Sequence, residues 1–225
     1  EFTMLEWYQA GLDLFGLMDQ TEAVIRAACA GACGGLRTRG GLDLSAPFER
    51  LSVQAAFQRH AGLDPFAHPS ADGLRAAGRA AGVPVPTDSP DWDDVFFQIL
   101  LNAVEPALAE GPPTFLWGWP ASQAALSRLD PADPRRALRF ELFIGGVELA
   151  NAFDELTDAA EQRRRFLADQ AARRALGVPV PPIDEALLAA LPHLKPTAGI
   201  ALGVDRLLMC LLAIDDIAEV RAQPW

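Results

Sequence analysis

The stretch Phe140-Glu-Leu-Phe-Ile-Gly-Gly-Val-Glu-Leu-Ala-Asn-Ala-Phe-Asp-Glu155 decides how this chain is read. Two apolar, strand-forming runs meet at Gly145-Gly146, a two-residue loop of the kind tight hairpins favour. Regular pairing from that turn sets Ile144 opposite Val147, Phe143 opposite Glu148 and Glu141 opposite Ala150. Side chains alternate along a strand, so Glu141, Phe143, Glu148 and Ala150 share a face. Glu141 and Glu148 become diagonal neighbours, roughly 7–8 Å apart at the backbone. Carboxylates that close repel unless a cation lies between them, and hard oxygen ligands suit Mg²⁺ that also grips a phosphate. The plainer alternative is an exposed acidic edge.

Working outward, Gly199-Ile-Ala-Leu-Gly-Val-Asp-Arg-Leu-Leu-Met209 runs from a small, apolar strand into a helix, with Arg206 near the helix start. A glycine such as Gly203 lets a flat ligand approach the backbone, and an arginine beside it can meet a base or a phosphate. At the other end, Glu1-Phe-Thr-Met-Leu-Glu-Trp-Tyr8 alternates so that Phe2, Met4, Glu6 and Tyr8 share a face. A carboxylate, a phenol and a phenyl ring together suit an aminated, partly apolar ligand better than a dry core.

In this order the three segments resemble the catalytic domain of class II aminoacyl-tRNA synthetases of the lysyl type. The N-terminal run looks like the second strand of motif 2, the hairpin like the block carrying metal and amino-acid ligands, and 199–209 like motif 3. Pro120-Ala-Ser-Gln-Ala124 and Leu149-Ala-Asn151 are phrased as in the elongation factor P–lysine ligase family (GenX/PoxA), a branch of short synthetase paralogues. The fold this implies is α+β, a mixed and mainly antiparallel sheet flanked by helices. The resemblance implies two substrates, ATP and (R)-β-lysine or lysine, with Mg²⁺ as cofactor and elongation factor P as acceptor. It implies no tRNA and a homodimer when full length.

Roles follow residue by residue. Glu141 and Glu148 would hold Mg²⁺ on the ATP phosphates. Arg206 would stack on adenine or pair with phosphate above Gly203, and Phe2 would cover the other side of the base. Arg206 and Glu148 are cast as the catalytic pair. Glu6, Tyr8, Asn151, Phe153, Glu155 and Ala201 would surround the lysine-like substrate, Glu155 meeting its ammonium and Asn151 its carboxylate. Lysyl-tRNA synthetases usually carry glycine where Ala201 stands; the ligase family shares the alanine and prefers (R)-β-lysine. A methyl shifts specificity by about 1–3 kcal/mol. Plain alternation sets Asn151, Phe153 and Glu155 on the face opposite Glu148, so lining one pocket requires a bulge, expected near Leu149–Asn151.

Family members extend upstream through motif 1, which builds the dimer interface, and the first half of motif 2, whose arginine binds the α-phosphate and substrate carboxylate. The chain therefore reads as an N-terminally incomplete catalytic domain over 1–225, with a mainly helical insertion around 20–110. Without that arginine it is expected to bind weakly and catalyse poorly, because electrostatic stabilisation is usually the largest catalytic contribution. A lysyl-tRNA synthetase fragment is the nearest rival, opposed by Ala201 and the 120–124 phrase. A non-catalytic paralogue binding a small amine or a protein partner is another.

A net charge of −11 argues against broad binding to nucleic acid, which depends on basic surface that releases counterions. It suits a basic protein partner, or simply solubility. Cys29, Cys33 and Cys210 fit reduced cytoplasmic thiols, and the sequence has no apolar run of about 18 residues that would imply a membrane span. His60, His68 and His193 are scattered without metal-ligand spacing. Ser122 and Gln123 lack a neighbouring base and fit substrate positioning instead. Helices are expected over Thr21–Gly31, Val53–Ala61, Ala71–Ala81 and Asp91–Ala109, with Pro112-Pro113 as a break before a strand at Thr114–Trp117. Trp117 and Trp119 alternate, which places both on one sheet face. Asp158 and Glu161 make a capping box for a helix ending near Gly177. Arg163–Arg165 reads as a solvated face, and a rigid connector over 178–182 leads into Ile183–Leu191.

Overall fold

Among the described residues of the computed structural model, 2–221, six strands form one mixed sheet. Glu1, where the first strand was expected to begin, lies outside them. The first strand, β1 (Met4–Ala10), leads into the long helix α1 (Leu14–Cys33), then the short strand β2 (Glu49–Ser52) and helices α2 (Val53–His60) and α3 (Ala71–Ala80). Next come α4 (Trp92–Ile99), a π-helical turn over Leu100–Val104 and α5 (Glu105–Ala109), which form one unbroken helical rod. Three strands follow: β3 (Thr114–Pro120), β4 (Arg136–Ile144) and β5 (Val147–Asp154). The chain closes with α6 (Ala159–Ala175), α7 (Glu185–Ala190), β6 (Thr197–Gly203) and α8 (Val204–Leu212). The order across the sheet is β1-β6-β5-β4-β3-β2, antiparallel throughout except for β2 beside β3.

Two apolar clusters sandwich this sheet. On one face Leu14, Leu17, Met18 and Ile25 of α1, with Leu207 and Leu211 of α8, pack on Phe115, Phe140, Leu142, Ala152, Ile200 and Leu202. On the other face Phe57 of α2 and Val95, Phe96 and Ile99 of α4 cover Leu116, Trp119, Ala137 and Phe143. That second cover stops at β4. The same face of β5, β6 and β1 stays open, which is what makes a site there possible.

The β4–β5 hairpin turns where expected. Gly145 and Gly146 have φ of 58° and 78°, the double left-handed conformation of a type I′ turn. Ile144 faces Val147 and Phe143 faces Glu148. Glu141, however, faces Asn151 and not Ala150, because the register shifts between Leu142 and Phe143 and Leu149 is the extra residue. The bulge expected near Leu149–Asn151 is therefore present.

Other expectations are corrected. Helix α1 starts at Leu14, well before Thr21, because Asp13 caps it by accepting from Gly16 N at 2.8 Å. Thr21 lies inside the helix and bonds back to the Leu17 carbonyl at 2.8 Å. Trp117 and Trp119 do not share a face: Gly118, at φ 74°, takes up a register shift between them. Trp117 meets Phe15 of α1 edge-on at 5.1 Å, whereas Trp119 joins Phe96 on the opposite side. Asp158 does cap α6, accepting from Ala160 N and Glu161 N, but Glu161 turns outward to Arg164 and Arg165 in place of closing a capping box. Arg165 is not solvated; it donates to the carbonyls of Ala125 and Ser127. No helix among the described residues is long and apolar enough to cross a membrane.

Candidate active site

Strand register gathers the expected site residues into rows. Glu6, Ala201, Asn151 and Glu141 lie opposite one another across β1, β6, β5 and β4. Tyr8, Gly199, Phe153 and Arg139 make the next row, and Met4 pairs with Gly203 on the other side. The Leu149 bulge is what lets Glu148 share the face of Asn151 and Phe153, since it absorbs the odd residue between them. Glu155 follows β5, held by its N–H to the Thr197 carbonyl at 3.0 Å.

One end of this face is a cavity of about 480 Å³ lined by Phe2, Glu148, Asn151, Ala201, Gly203 and Arg206 among others. Its wall is set by the junction of β1 with β6. Thr3 N donates to Asp205 Oδ2 at 2.5 Å and Val204 N to the Thr3 carbonyl at 2.9 Å, fixing Phe2 across from the start of α8. Arg206 Nη1 donates to the Glu148 carbonyl at 2.7 Å and lies 3.9 Å from Glu148 Oε2. Phe2 is 71% exposed, so ring and guanidinium present open faces to a flat ligand. A Cβ at Gly203 would meet only the Arg206 side chain, at 3.7 Å.

The other end of the face lies around Gly199. Tyr8 and Glu155 both lean over Gly199, where a Cβ would approach Tyr8 Cε1 to 2.5 Å and Glu155 Oε1 to 2.6 Å. Burial pushes the Glu155 carboxyl up to about 7, with Asp154 adding to it. Burial also raises the Tyr8 phenol, followed by the charges of Glu155 and Glu6. This end is therefore rich in oxygen, which favours a cationic ligand.

Between the two ends sits a residue that sequence reasoning missed. Arg139 donates Nε to Asn151 Oδ1 at 3.1 Å and Nη1 to the Gln123 carbonyl at 3.0 Å, and pairs through Nη2 with Glu141. Glu141 is 7% exposed. Burial drives its carboxyl up to about 8; Arg139 opposes this, and Glu148 and Glu105 add to it. Salt bridge and raised pKa describe one situation: the charge of Arg139 alone does not offset the burial of Glu141 and the two further carboxylates nearby. Glu105, also missed, reaches this neighbourhood from α5. Ser122 and Gln123 bond Asp93 of α4, at 2.7 and 3.1 Å, and so brace the 120–124 loop.

The donor set fits Mg²⁺. Glu141 and Glu148 offer hard oxygen on one face, and no group of three or more His, Cys, Asp or Glu among the described residues closes around a point as an all-protein cage would. Mg²⁺ suits such a half-built site, since it keeps waters and takes its other ligands from phosphates. A family model, tRNA synthetases class II (D, K and N), matches residues 1–225. The chain belongs to that family. The sheet and flanking helices are thus those of a class II synthetase domain. Among curated relatives, an elongation factor P–(R)-β-lysine ligase of Hamiltonella defensa subsp. Acyrthosiphon pisum (strain 5AT) is 41% identical over 228 residues, taking in 100% of this chain and 65% of that protein. A protein of the same name from Edwardsiella ictaluri (strain 93-146) is 42% identical over 228 residues, 99% of this chain and 64% of that one. One from Salmonella paratyphi B is 41% identical over 224 residues. The synthetase domain described here spans 64–65% of the length of these relatives.

Proposed function

We propose that the protein carrying this domain activates (R)-β-lysine, or lysine, with ATP and transfers it to a lysine side chain of elongation factor P. The observation that carries the reading is the Leu149 bulge. It aligns a pair of carboxylates, an amide and an aromatic ring along one open face, with the partly buried Glu155 carboxyl at the far end. A lysine-like molecule spans those features, its side-chain ammonium toward Glu155, Tyr8 and Glu6 and its carboxylate beside Asn151, next to Glu141 and Glu148. Ala201 forms the floor between them and Phe153 the wall.

In the first step the substrate carboxylate attacks the α-phosphorus of ATP, an aminoacyl-adenylate forms and pyrophosphate leaves. Phe2, Gly203 and Arg206 hold the nucleotide, and Arg206 meets base or phosphate. Glu141 and Glu148 would hold Mg²⁺, which would supply neutralisation of phosphate charge. In the second step the acceptor amine attacks the acyl carbon and AMP leaves. No side chain becomes covalently attached, so the work of the site is orientation and charge neutralisation. We assign the protein to the cytoplasm, as a homodimer when full length, acting without tRNA.

ATP–pyrophosphate exchange on the full-length protein tests this, with (R)-β-lysine and α-lysine compared side by side. Exchange favouring (R)-β-lysine, reduced about 100-fold or more by Glu148→Ala, is the expected result. Preference for α-lysine would point to a tRNA synthetase. Absence of exchange with either isomer, from a folded protein, would leave a binding role.

A further inference from the structure

We infer that Arg139 is a positioning residue that fixes which way the Asn151 amide points and holds one oxygen of Glu141, so that Asn151 offers the pocket hydrogen-bond donors only. This rests on the functional reading above and specifies which group of the amino acid Asn151 receives.

The argument begins with what arginine cannot do. A guanidinium has five N–H donors and no acceptor. Arg139 Nε lies 3.1 Å from the Asn151 side-chain amide, so the atom facing it is the carbonyl oxygen, and the NH₂ group faces away. An amide held in this sense matches a carboxylate and mismatches an ammonium. The guanidinium has little freedom to choose another partner. Its side chain is only 14% exposed. Its Cζ lies 4.6 Å from the Trp119 ring centre and 5.9 Å from that of Phe153. Nη2 is engaged by Glu141 and Nη1 by the Gln123 carbonyl. That carbonyl is itself fixed, because Ser122 and Gln123 are tied to Asp93 at the start of α4. Arg139 thus touches three residues assigned to ligand binding, Phe153 in its own row and Glu141 and Asn151 in the adjacent one.

A merely structural salt bridge to Glu141 makes different predictions. Lysine at 139 keeps a charge near Glu141 but cannot reach three acceptors at once. In pyrophosphate exchange by the full-length protein, Arg139→Lys is expected to raise KM for the amino acid about tenfold or more while KM for ATP changes less than about twofold. Asn151→Asp keeps the acceptor that Arg139 needs and removes the donors, so it should raise KM for the amino acid at least as much. Parallel rises in both KM values for Arg139→Lys, or wild-type amino-acid KM in Asn151→Asp, would overturn the inference. A substrate-free readout separates it from the functional reading: the Arg139 Nε–H signal in ¹⁵N-resolved NMR. Asn151→Leu, which keeps the branched shape and drops the acceptor, should shift that signal and speed its exchange with water. An unchanged Nε–H signal would sink the inference whatever the enzyme assay gives. If the wild type shows no exchange with any lysine isomer, the functional reading falls and this signal alone decides the amide orientation.

Discussion

Gly199 leaves the space in which Tyr8 and Glu155 meet, since any Cβ there would lie within 2.6 Å of both. Alanine at 199 forces those side chains out of the pocket, and overpacking of this kind costs about 1–3 kcal/mol. Gly199→Ala should therefore lower Tm by several degrees and weaken lysine binding more than ATP binding, as calorimetric titration of each ligand would show. Glu155 supplies a pH dependence whose sign can be worked out. Its folded carboxyl, at about 7, lies above the ordinary value of 4.5. The native state thus binds the proton more tightly than the unfolded chain, and ligand-free stability falls as pH rises from about 4.5 to about 7. An ammonium ligand favours the ionised form, so its affinity should strengthen from pH 6 to pH 8, and Glu155→Gln should flatten that profile. Affinity equal at both pH values in the wild type would dismiss Glu155 as the ammonium partner. At this scale much of the site was legible: Glu141, Glu148, Asn151, Phe153 and Ala201 all face where alternation plus one bulge puts them. Arg139 is equally legible, two residues before Glu141 on the same face, because an arginine in an apolar strand needs buried acceptors. Glu105 was not available, because only tertiary packing brings it near.

The hairpin shows how elements depend on a few backbone positions. Gly145 has open space around its missing Cβ, whereas one added at Gly146 would lie 2.8 Å from Ala109 Cβ of α5. Both residues have positive φ, which costs an L-residue roughly 1–2 kcal/mol, less for asparagine. Gly145→Asn is therefore expected to leave Tm within a degree or two. Gly146→Ala should lower it by several degrees, because strain and collision add. Equal Tm losses in the two variants would mean that α5 does not press on the turn. The hairpin itself was readable because turn chemistry and alternation agree. Alternation misplaces Trp117 and Trp119 because the positive φ of Gly118, which its letter only permits, turns them to opposite faces. The early start of α1 is written in Asp13, a capping residue directly ahead of Leu14.

Across the whole molecule, one sheet face is divided between core and site. Phe96 stands at the boundary, stacked on Phe57 at 4.7 Å and on Trp92 at 5.3 Å, with its edge toward Trp119 at 6.2 Å. Phe96→Ala should cost about 3–5 kcal/mol. Because Trp119 in turn underlies Arg139, it should also loosen lysine binding, and a denaturant titration paired with ligand binding would check both. A stability loss with untouched lysine affinity would show that the helices cover the sheet without steadying the site. The π-helical turn at Leu100–Val104 bears on this arrangement in another way. A π turn accommodates one residue more than an α-helix would, and each residue of α-helix turns the chain by about 100°. Removing a single residue there would let the rod relax into plain α-helix with Glu105 and Ala109 still beside the hairpin, whereas adding one would turn both away by about 100°. The segment should then accept the loss of one residue more readily than the gain of one, so that its residue count carries information that its composition does not.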